Sequence, residues 1–296
     1  MPRLNSQSRV AGYAVVAATG IDADAAARAV VAELPRLRPA GGRAAIEAAL
    51  AGRGALLRFR PHRAAFLLDL PALGAARVQL KLYEPKDAVE TAIGVVTAAR
   101  GRTSWILGRA MRAAGLPTPE PLLLMLRKPF RLHRETVLIT RALESPVLLT
   151  DELKRRLAER AGTRALLDET ARLAAEMHDA GFLHGDFTAS NLVLAGAADA
   201  RILTIIDLDR ARDLRRLPGA LRRRAQVLDL RLLLLTTWGE VPRCGWLRLL
   251  VRYAAARKLT AAQTRRLATR VLSARRGRVR VGARAPTIGG PTPWSA

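Results

Sequence analysis

Three polar residues stand close together in the second half of the sequence, in a pattern that could hold a metal ion and move a proton. Asp186 follows a His-Gly pair, and Asn191 comes five residues after it. Asp207 directly follows the apolar run 202–206, and an acidic residue ending a buried strand needs a partner because an unpaired buried carboxylate is costly. A divalent cation is one natural partner, since carboxylate and amide oxygens are hard ligands that Mg²⁺ accepts.

The same residue types suit phosphoryl transfer to a hydroxyl group. On an intervening loop, Asp186 could accept the proton of the attacking hydroxyl while Asn191 and Asp207 hold a cation on the phosphates. Protein kinases have a His-Arg-Asp loop with an Asn five residues after the Asp, and this chain keeps that spacing with Gly185 at the Arg position. The structural alternative is a loop cap plus a strand-end turn, and the joint spacing favours the metal site over it.

The elements around these residues predict strands in the first part of the chain. Strand-length apolar or alternating runs occur at 56–59, 65–70 and 77–83. Gly52-Arg53-Gly54 comes just before the first run and is interpreted as a turn between two strands. A helical pattern over about 103–114 stops at Gly115, with prolines beyond it.

The later part of the chain is predominantly helical. A hairpin is predicted over 192–206, and an arginine-rich helical pattern extends from about 217 to 274. Strands first and helices later predict an α+β fold with two lobes. We expect a mostly antiparallel sheet lobe at 1–142, a helical lobe at 143–280 and a disordered tail at 281–296.

Five segments in this order resemble the bacterial lipopolysaccharide core kinases, the Kdo and heptose kinase group of the protein-kinase-like superfamily. The resemblance covers about residues 52–234. Its segments are Gly52-Arg53-Gly54, Leu80-Lys81-Leu82-Tyr83, the Gly-Leu-Pro-x-Pro-x-Pro-like segment 114–121, the loop 184–191, and Ile206-Asp207-Leu208-Asp209-Arg210. The resemblance implies a protein-kinase-like two-lobe fold and a kinase that uses ATP with Mg²⁺ or Mn²⁺.

Carried over position by position, the resemblance implies a role for each matching residue. Asp186 would be the catalytic base, with Asn191 and Asp207 as metal ligands. Lys81 would pair with the α- and β-phosphates of ATP. The remaining matches are Gly52 and Gly54, which would let the backbone approach the nucleotide; His184, which would brace the loop; and Asp229, which would anchor the loop from a later helix.

The sequence departs from the family pattern at the helix that normally supplies a glutamate partner for the strand lysine. Counting back from Gly115, that glutamate falls at Ser104, and no acidic residue lies between Glu90 and Glu120. Three explanations stay open: Glu90 reaches in from an offset segment, Lys81 is held differently, or activity is weak or lost. Arg141 also stands where an acidic hinge residue is expected.

Composition adds a strongly basic field. Fifty Lys+Arg against 25 Asp+Glu give a formal net charge of +25, which attracts polyanions such as nucleic acid, nucleotide phosphates or anionic lipid. A bias toward Arg and Ala in solvated helix faces explains the charge equally well. A single cysteine excludes an internal disulfide and fits a reducing compartment. No apolar run approaches the roughly 20 residues needed to cross a bilayer.

We therefore expect a cytoplasmic ATP-dependent kinase that phosphorylates a sugar hydroxyl of a lipopolysaccharide core or similar glycolipid, with contact to the anionic inner face of the membrane. A Ser/Thr protein kinase or a small-molecule phosphotransferase is the alternative within the same chemistry. A catalytically inactive kinase fold used for binding is the alternative outside it. Nucleic-acid binding is permitted by the charge, but no recognisable binding motif supports it.

Overall fold

The structure is a computed structural model, and it describes residues 8–38, 42–75, 77–84, 100–127, 135–159 and 161–273. The chain divides into two compact units. The first contains Met1–Arg109 and Pro119–Leu143, and the second contains Ala110–Thr118 and Glu144–Ser295. The predicted tail at 281–296 lies outside the described residues, as does Glu90.

The first unit is built on an antiparallel sheet. Its described elements are β1 (Ser8–Val10), β2 (Tyr13–Ala17), α1 (Ala23–Leu37), α2 (Gly42–Leu50), β3 (Gly54–Arg60), β4 (Arg63–Leu68), β5 (Val78–Tyr83), the start of α3 (Arg100–Ala113), β6 (Pro121–Arg127) and β7 (Glu135–Arg141). The strand order in the sheet is β1-β2-β6-β7-β5-β4-β3. The three predicted strand runs correspond to β3, β4 and β5, and the predicted sheet lobe is confirmed.

The two faces of this sheet carry separate hydrophobic clusters. Side chains of a strand alternate between faces, and Val78, Leu80 and Leu82 of β5 belong to the larger cluster, which includes residues of α1 and α2. Tyr83 belongs to the smaller cluster, together with the buried Trp105 of α3. Lys81 therefore lies on the α3 face of the sheet.

Helices α1 and α2 were not predicted, because the first hundred residues were interpreted as strands. The signal was present: the Asp22 carboxylate accepts the backbone N–H groups of Asp24 at 2.9 Å and Ala25 at 3.1 Å, which caps α1. Val30, Leu34 and Leu37 then follow at helical spacing and are buried. The short alternating runs that flank α1 and α2 obscured this periodicity.

The second unit is helical with two small sheets. Its described elements are the end of α3, β8 (Val147–Leu148), α4 (Leu149–Ala158), α5 (Arg164–Asp179), β9 (Phe182–Leu183), β10 (Leu192–Ala195), β11 (Ile202–Ile205), β12 (Arg212–Asp213), α6 (Gly219–Thr236), α7 (Arg243–Ala256) and α8 (Ala261–Leu272). The sheets are β11-β10-β8 and β12-β9. The predicted hairpin is confirmed, since β10 and β11 pair antiparallel. No helix in the described ranges is long and apolar enough to cross a bilayer.

Candidate active site

The loop that follows β9 is anchored by Asp229, a buried residue in the middle of α6. The Asp229 carboxylate accepts the backbone N–H of His184 at 2.8 Å with one oxygen and that of Gly185 at 2.9 Å with the other. Two successive backbone N–H groups donate to one buried carboxylate, and these bonds fix the path of the chain directly before Asp186. The prediction that Asp229 anchors the loop from a later helix is confirmed.

The backbone conformation at position 185 and a close neighbour there explain why this loop has glycine where protein kinases have arginine. Its φ is +76°, a conformation that side chains rarely adopt. A Cβ atom at this position would also overlap the backbone carbonyl oxygen of Arg210, just before β12. The loop is thus packed against the segment leading into β12, and that close approach requires the absence of a side chain.

His184 connects the loop to the end of β11. Its Nε2 atom lies 2.9 Å from the carbonyl oxygen of Ile206, which can only accept, so Nε2 carries the hydrogen. The Nδ1 atom then accepts the backbone N–H of Asp186, at 3.3 Å. His184 is buried and bonded at both ring nitrogens, which confirms the prediction that it braces the loop.

The predicted metal ligands lie on segments that are bonded to each other. The Asn191 side-chain amide donates to the backbone carbonyl of Asp186 at 2.8 Å, which leaves its Oδ1 oxygen available to a cation. The backbone carbonyl of Asn191 accepts the N–H of Ile206 at 3.0 Å, so Asn191 is tied to the residue directly before Asp207. Asp207 has a φ of +60°, rare for a non-glycine residue.

Asn191 and Asp207 fit a cation that takes most of its ligands from groups other than protein side chains. Over the described ranges, no group of three or more His, Cys, Asp or Glu side chains is arranged to hold a metal ion. One amide oxygen and one carboxylate match a Mg²⁺ site in which phosphate and water supply the remaining ligands. Asn191 and Asp207 are the residues that would hold such an ion here.

Behind the loop lies a buried polar chain that the sequence did not reveal. Arg257 donates to the Tyr253 hydroxyl at 2.7 Å, and that hydroxyl lies 2.8 Å from His178 Nδ1. His178 Nε2 in turn faces the Asp229 carboxylate at 3.4 Å. Because Asp229 accepts and Arg257 donates, Tyr253 must donate to His178, and His178 must donate to Asp229. Burial raises the pKa of Tyr253 to about 12.

Three positions singled out from the sequence lie in the first unit: Lys81, Ser104 and Arg141. Lys81 of β5 pairs with Ala65 of β4 and Leu138 of β7. Ser104, at the family's glutamate position, is buried in α3. Arg141 ends β7 and donates to the carboxylate of Glu120 at 2.8 Å. Arg141 thus forms an exposed ion pair with Glu120 at the end of β7.

The interpretation of Gly52-Arg53-Gly54 as a turn between two strands is wrong. This segment connects α2 to β3. Gly52 has a φ of +74° in open space, while a Cβ atom on Gly54 would overlap the backbone carbonyl of Leu67. Both glycines thus have local structural reasons: one ends a helix and the other lets β3 pack against β4.

The turn that does connect the two strands before Lys81 is strongly basic. It joins β3 to β4 through Pro61-His62, with Arg60 and Arg63 paired across it. Arg63 stacks its guanidinium 5.2 Å from the Tyr83 ring centroid. The signal in the sequence is Arg60-Pro61-His62-Arg63 between two apolar runs.

Fold and site together define a protein-kinase-like protein with an N-terminal antiparallel sheet and a helical C-terminal part. The family model described as the lipopolysaccharide kinase (Kdo/WaaP) family matches residues 85–268, more than half of the chain. The protein therefore belongs to this family, and the resemblance inferred from the sequence is confirmed. The matched range includes Asp186, Asn191 and Asp207 and begins after Lys81. Membership supports a phosphotransferase of the sugar-kinase class.

Two solved structures are similar to this chain. A structure of WaaP in complex with acyl carrier protein superposes with a TM-score of 0.56 at 24% identity, covering 82% of this chain and 96% of that chain. A crystal structure of the BubR1 kinase domain has a TM-score of 0.45 at 12% identity, covering 74% of this chain and 78% of that chain. No curated protein matches the chain by sequence.

Proposed function

We propose that the protein is an ATP-dependent kinase that transfers the γ-phosphate to a sugar hydroxyl of a lipopolysaccharide core or a similar glycolipid. The observation that carries the proposal is the orientation of Asn191, whose amide nitrogen donates to the Asp186 carbonyl at 2.8 Å. This bond leaves the amide oxygen as a ligand and keeps the catalytic aspartate and the metal ligand on one rigid loop. The family membership supplies the acceptor class.

In the proposed reaction Asp186 acts as the general base. Its carboxylate accepts the proton of the acceptor hydroxyl, whose oxygen forms a bond to the γ-phosphorus as the bond to the β,γ-bridging oxygen breaks and ADP leaves. His184 and Asp229 hold the loop at the backbone, so the carboxylate is presented without a large ordering cost. Asn191 and Asp207 are the residues that would hold a divalent cation, which would supply positive charge to the phosphates.

We propose that the first unit supplies the nucleotide contacts and the second the catalytic loop, within the lobes expected at 1–142 and 143–280. Lys81 pairs with the α- and β-phosphates. In protein kinases the loop over the phosphates precedes the strand that carries the lysine. The β3–β4 turn, with Arg60, precedes β5 here, and its positive charge suits phosphates better than the uncharged Gly52 and Gly54, of which one ends α2 and the other lets β3 approach β4.

The basic surface supports a working location at the anionic inner face of the membrane, in the cytoplasm. The formal net charge is +25, and each arginine close to an anionic leaflet contributes roughly 1 kcal/mol of attraction. This location gives access to a membrane-anchored glycolipid acceptor.

The second candidate function is a kinase fold that binds nucleotide without turnover, and Ser104 favours it. Thermal unfolding with an ATP analogue, with and without Mg²⁺, tests the site shared by both candidates. The parent is expected to show a Mg²⁺-dependent rise in melting temperature, and Asp207→Ala is expected to lose that dependence. A parent that shows no Mg²⁺-dependent shift would contradict the proposed site. Slow ATP hydrolysis by the parent that disappears in Asp186→Ala would exclude the inactive candidate.

A further inference from the structure

A concave site lies in the helical unit, among α6, α7 and α8. The cavity has a volume of about 950 Å³. No acidic residue is among the described residues that line it, whereas six arginines are: Arg223, Arg224, Arg231, Arg257, Arg266 and Arg270. Val227, Leu228 and Leu267 supply an apolar part of the wall. The cavity is therefore both strongly positive and partly apolar.

Most of these guanidinium groups have no partner within the described part of the chain. The side chains of Arg223, Arg224, Arg266 and Arg270 are exposed and form no hydrogen bond or ion pair there. The segment that follows α8 cannot neutralise them, since 274–296 contains five arginines and no Asp or Glu. Converging like charges repel each other, and this repulsion is relieved when an anion binds.

Two further arginines that line the cavity are held by hydrogen bonds. Arg231 donates through Nε to the backbone carbonyl of Arg270 at 2.9 Å, and Arg257 donates to Asp179 at 2.7 Å and to Gln226 at 2.8 Å. Planar guanidinium groups bind phosphate through paired hydrogen bonds. We propose that this cavity binds a ligand that carries two or more phosphate charges.

The cavity is separate from the proposed catalytic loop. With 3.6 residues per turn, Arg224 and Arg231 of α6 lie on the side of the helix opposite to Asp229, and Asp229 is the residue that holds the loop. The ligand is thus an effector or an anchor rather than the phosphoryl acceptor.

A buried hydrogen-bond chain connects the cavity to the loop. Arg257 and Tyr253 line the cavity, Tyr253 bonds to His178 at 2.8 Å, and His178 faces Asp229 at 3.4 Å. An anion bound to Arg257 adds a contact to the first residue of this hydrogen-bond chain, so occupancy of the cavity tightens the hold of Asp229 on the loop.

The test is calorimetric titration of the full chain with pyrophosphate and, in parallel, with a short-chain soluble phosphatidic acid. The cavity variant Arg224→Gln/Arg266→Gln is compared with the matched variant Arg243→Gln/Arg265→Gln, which removes the same charge from exposed arginines of α7 and α8 outside the cavity. Saturable binding of at least one probe should weaken at least tenfold in the cavity variant and remain within twofold of the parent in the matched variant. Tighter binding of phosphatidic acid identifies a lipid headgroup, and tighter binding of pyrophosphate identifies a soluble phosphorylated ligand.

Equal weakening in both variants, or no saturable binding, would overturn the site. The connection to the loop is tested by amide hydrogen exchange. The N–H groups of His184 and Gly185 should exchange more slowly when pyrophosphate or phosphatidic acid is bound, and not in the cavity variant. Unchanged exchange with bound ligand would overturn the connection. Both readouts are independent of catalytic turnover, so they stand or fall separately from the kinase proposal.

Discussion

The backbone N–H of His184 donates to the carboxylate of Asp229 across 2.8 Å, although the two residues are 45 positions apart in the chain. This bond joins the loop that bears Asp186 to the middle of α6. Asp229 is almost fully buried, and its second oxygen accepts the N–H of Gly185. The position of the loop that bears Asp186 therefore depends in part on a carboxylate from a helix that is distant in the sequence.

Replacing Asp229 with asparagine should destabilise the protein strongly. One of the two carboxylate oxygens becomes an NH₂ group, which cannot accept the backbone N–H that it faces. Charged hydrogen bonds in a buried setting contribute more than neutral ones, so Asp229→Asn should lower the free energy of unfolding by about 3 kcal/mol. Urea unfolding measures this loss. Asp199→Asn, at an exposed turn, is the control. Free energies of unfolding that agree within roughly 0.5 kcal/mol between the two variants would contradict the anchoring role.

Gly185 and Gly115 form a matched pair for testing the close packing of the loop. Both have positive φ values, +76° and +78°, but only at Gly185 would a Cβ atom overlap another backbone atom. Gly115→Ala should cost roughly 1 kcal/mol from backbone strain alone. Gly185→Ala should cost clearly more and should also reduce phosphate transfer. Thermal unfolding of the two variants separates strain from overlap, and equal losses would mean that the loop moves away from Arg210 freely.

Tyr253 should make stability fall at alkaline pH. Burial raises its pKa from 10.0 to about 12, so the folded state holds the phenolic proton more tightly than the unfolded state does. The contribution of the neutral Tyr253 hydroxyl to the free energy of unfolding is complete below pH 10. It is lost as the pH rises toward 12, and the loss amounts to about 2 kcal/mol. The free energy of unfolding should fall more steeply between pH 9.5 and 11.5 in the parent than in Tyr253→Phe. Parallel pH profiles would show that the hydroxyl is not buried as described.

The turn between β3 and β4 should matter for nucleotide binding more than the glycines before β3. Arg60→Gln removes a charge from that turn, and we expect the affinity for an ATP analogue to weaken roughly fivefold to tenfold, about 1 kcal/mol. Gly52→Ala places a methyl group in open space and should leave the affinity unchanged. Fluorescence titration with a labelled nucleotide measures both. Weaker nucleotide binding in Gly52→Ala, together with unchanged binding in Arg60→Gln, would indicate that the glycines rather than the turn contact the nucleotide.

The loop over 184–191 could be predicted because its signal is local. The Asp-to-Asn spacing, the strand before Asp207 and the preceding helix all lie within a few dozen residues, and each has a sequence signature that does not depend on distant packing. The sheet unit was predicted for a similar reason, since alternating runs such as β5 are readable without knowledge of the partner strand.

What could not be predicted depends on contacts between distant parts of the chain. Arg257 and Tyr253 are only four residues apart, but nothing near them in the sequence indicates that Tyr253 meets His178, 75 positions away, and through it the anchor of the loop. Likewise, the role of Gly185 comes from the approach of the Arg210 carbonyl. The interpretation of residues 52–54 as a turn between two strands was wrong because a helix, rather than a strand, precedes them.

The most direct test of the proposed function is transfer of labelled phosphate from [γ-³²P]ATP to a lipopolysaccharide extract, with a protein mixture and small sugars assayed side by side. The parent should label the lipopolysaccharide fraction, and Asp186→Asn should reduce the rate by roughly a thousandfold, as expected for the loss of a general base. The exposed-site control Asp199→Asn should retain the parent rate. Labelling confined to protein or small sugars would contradict the proposed acceptor. Equal rates in the parent and Asp186→Asn would contradict the proposed catalytic residue.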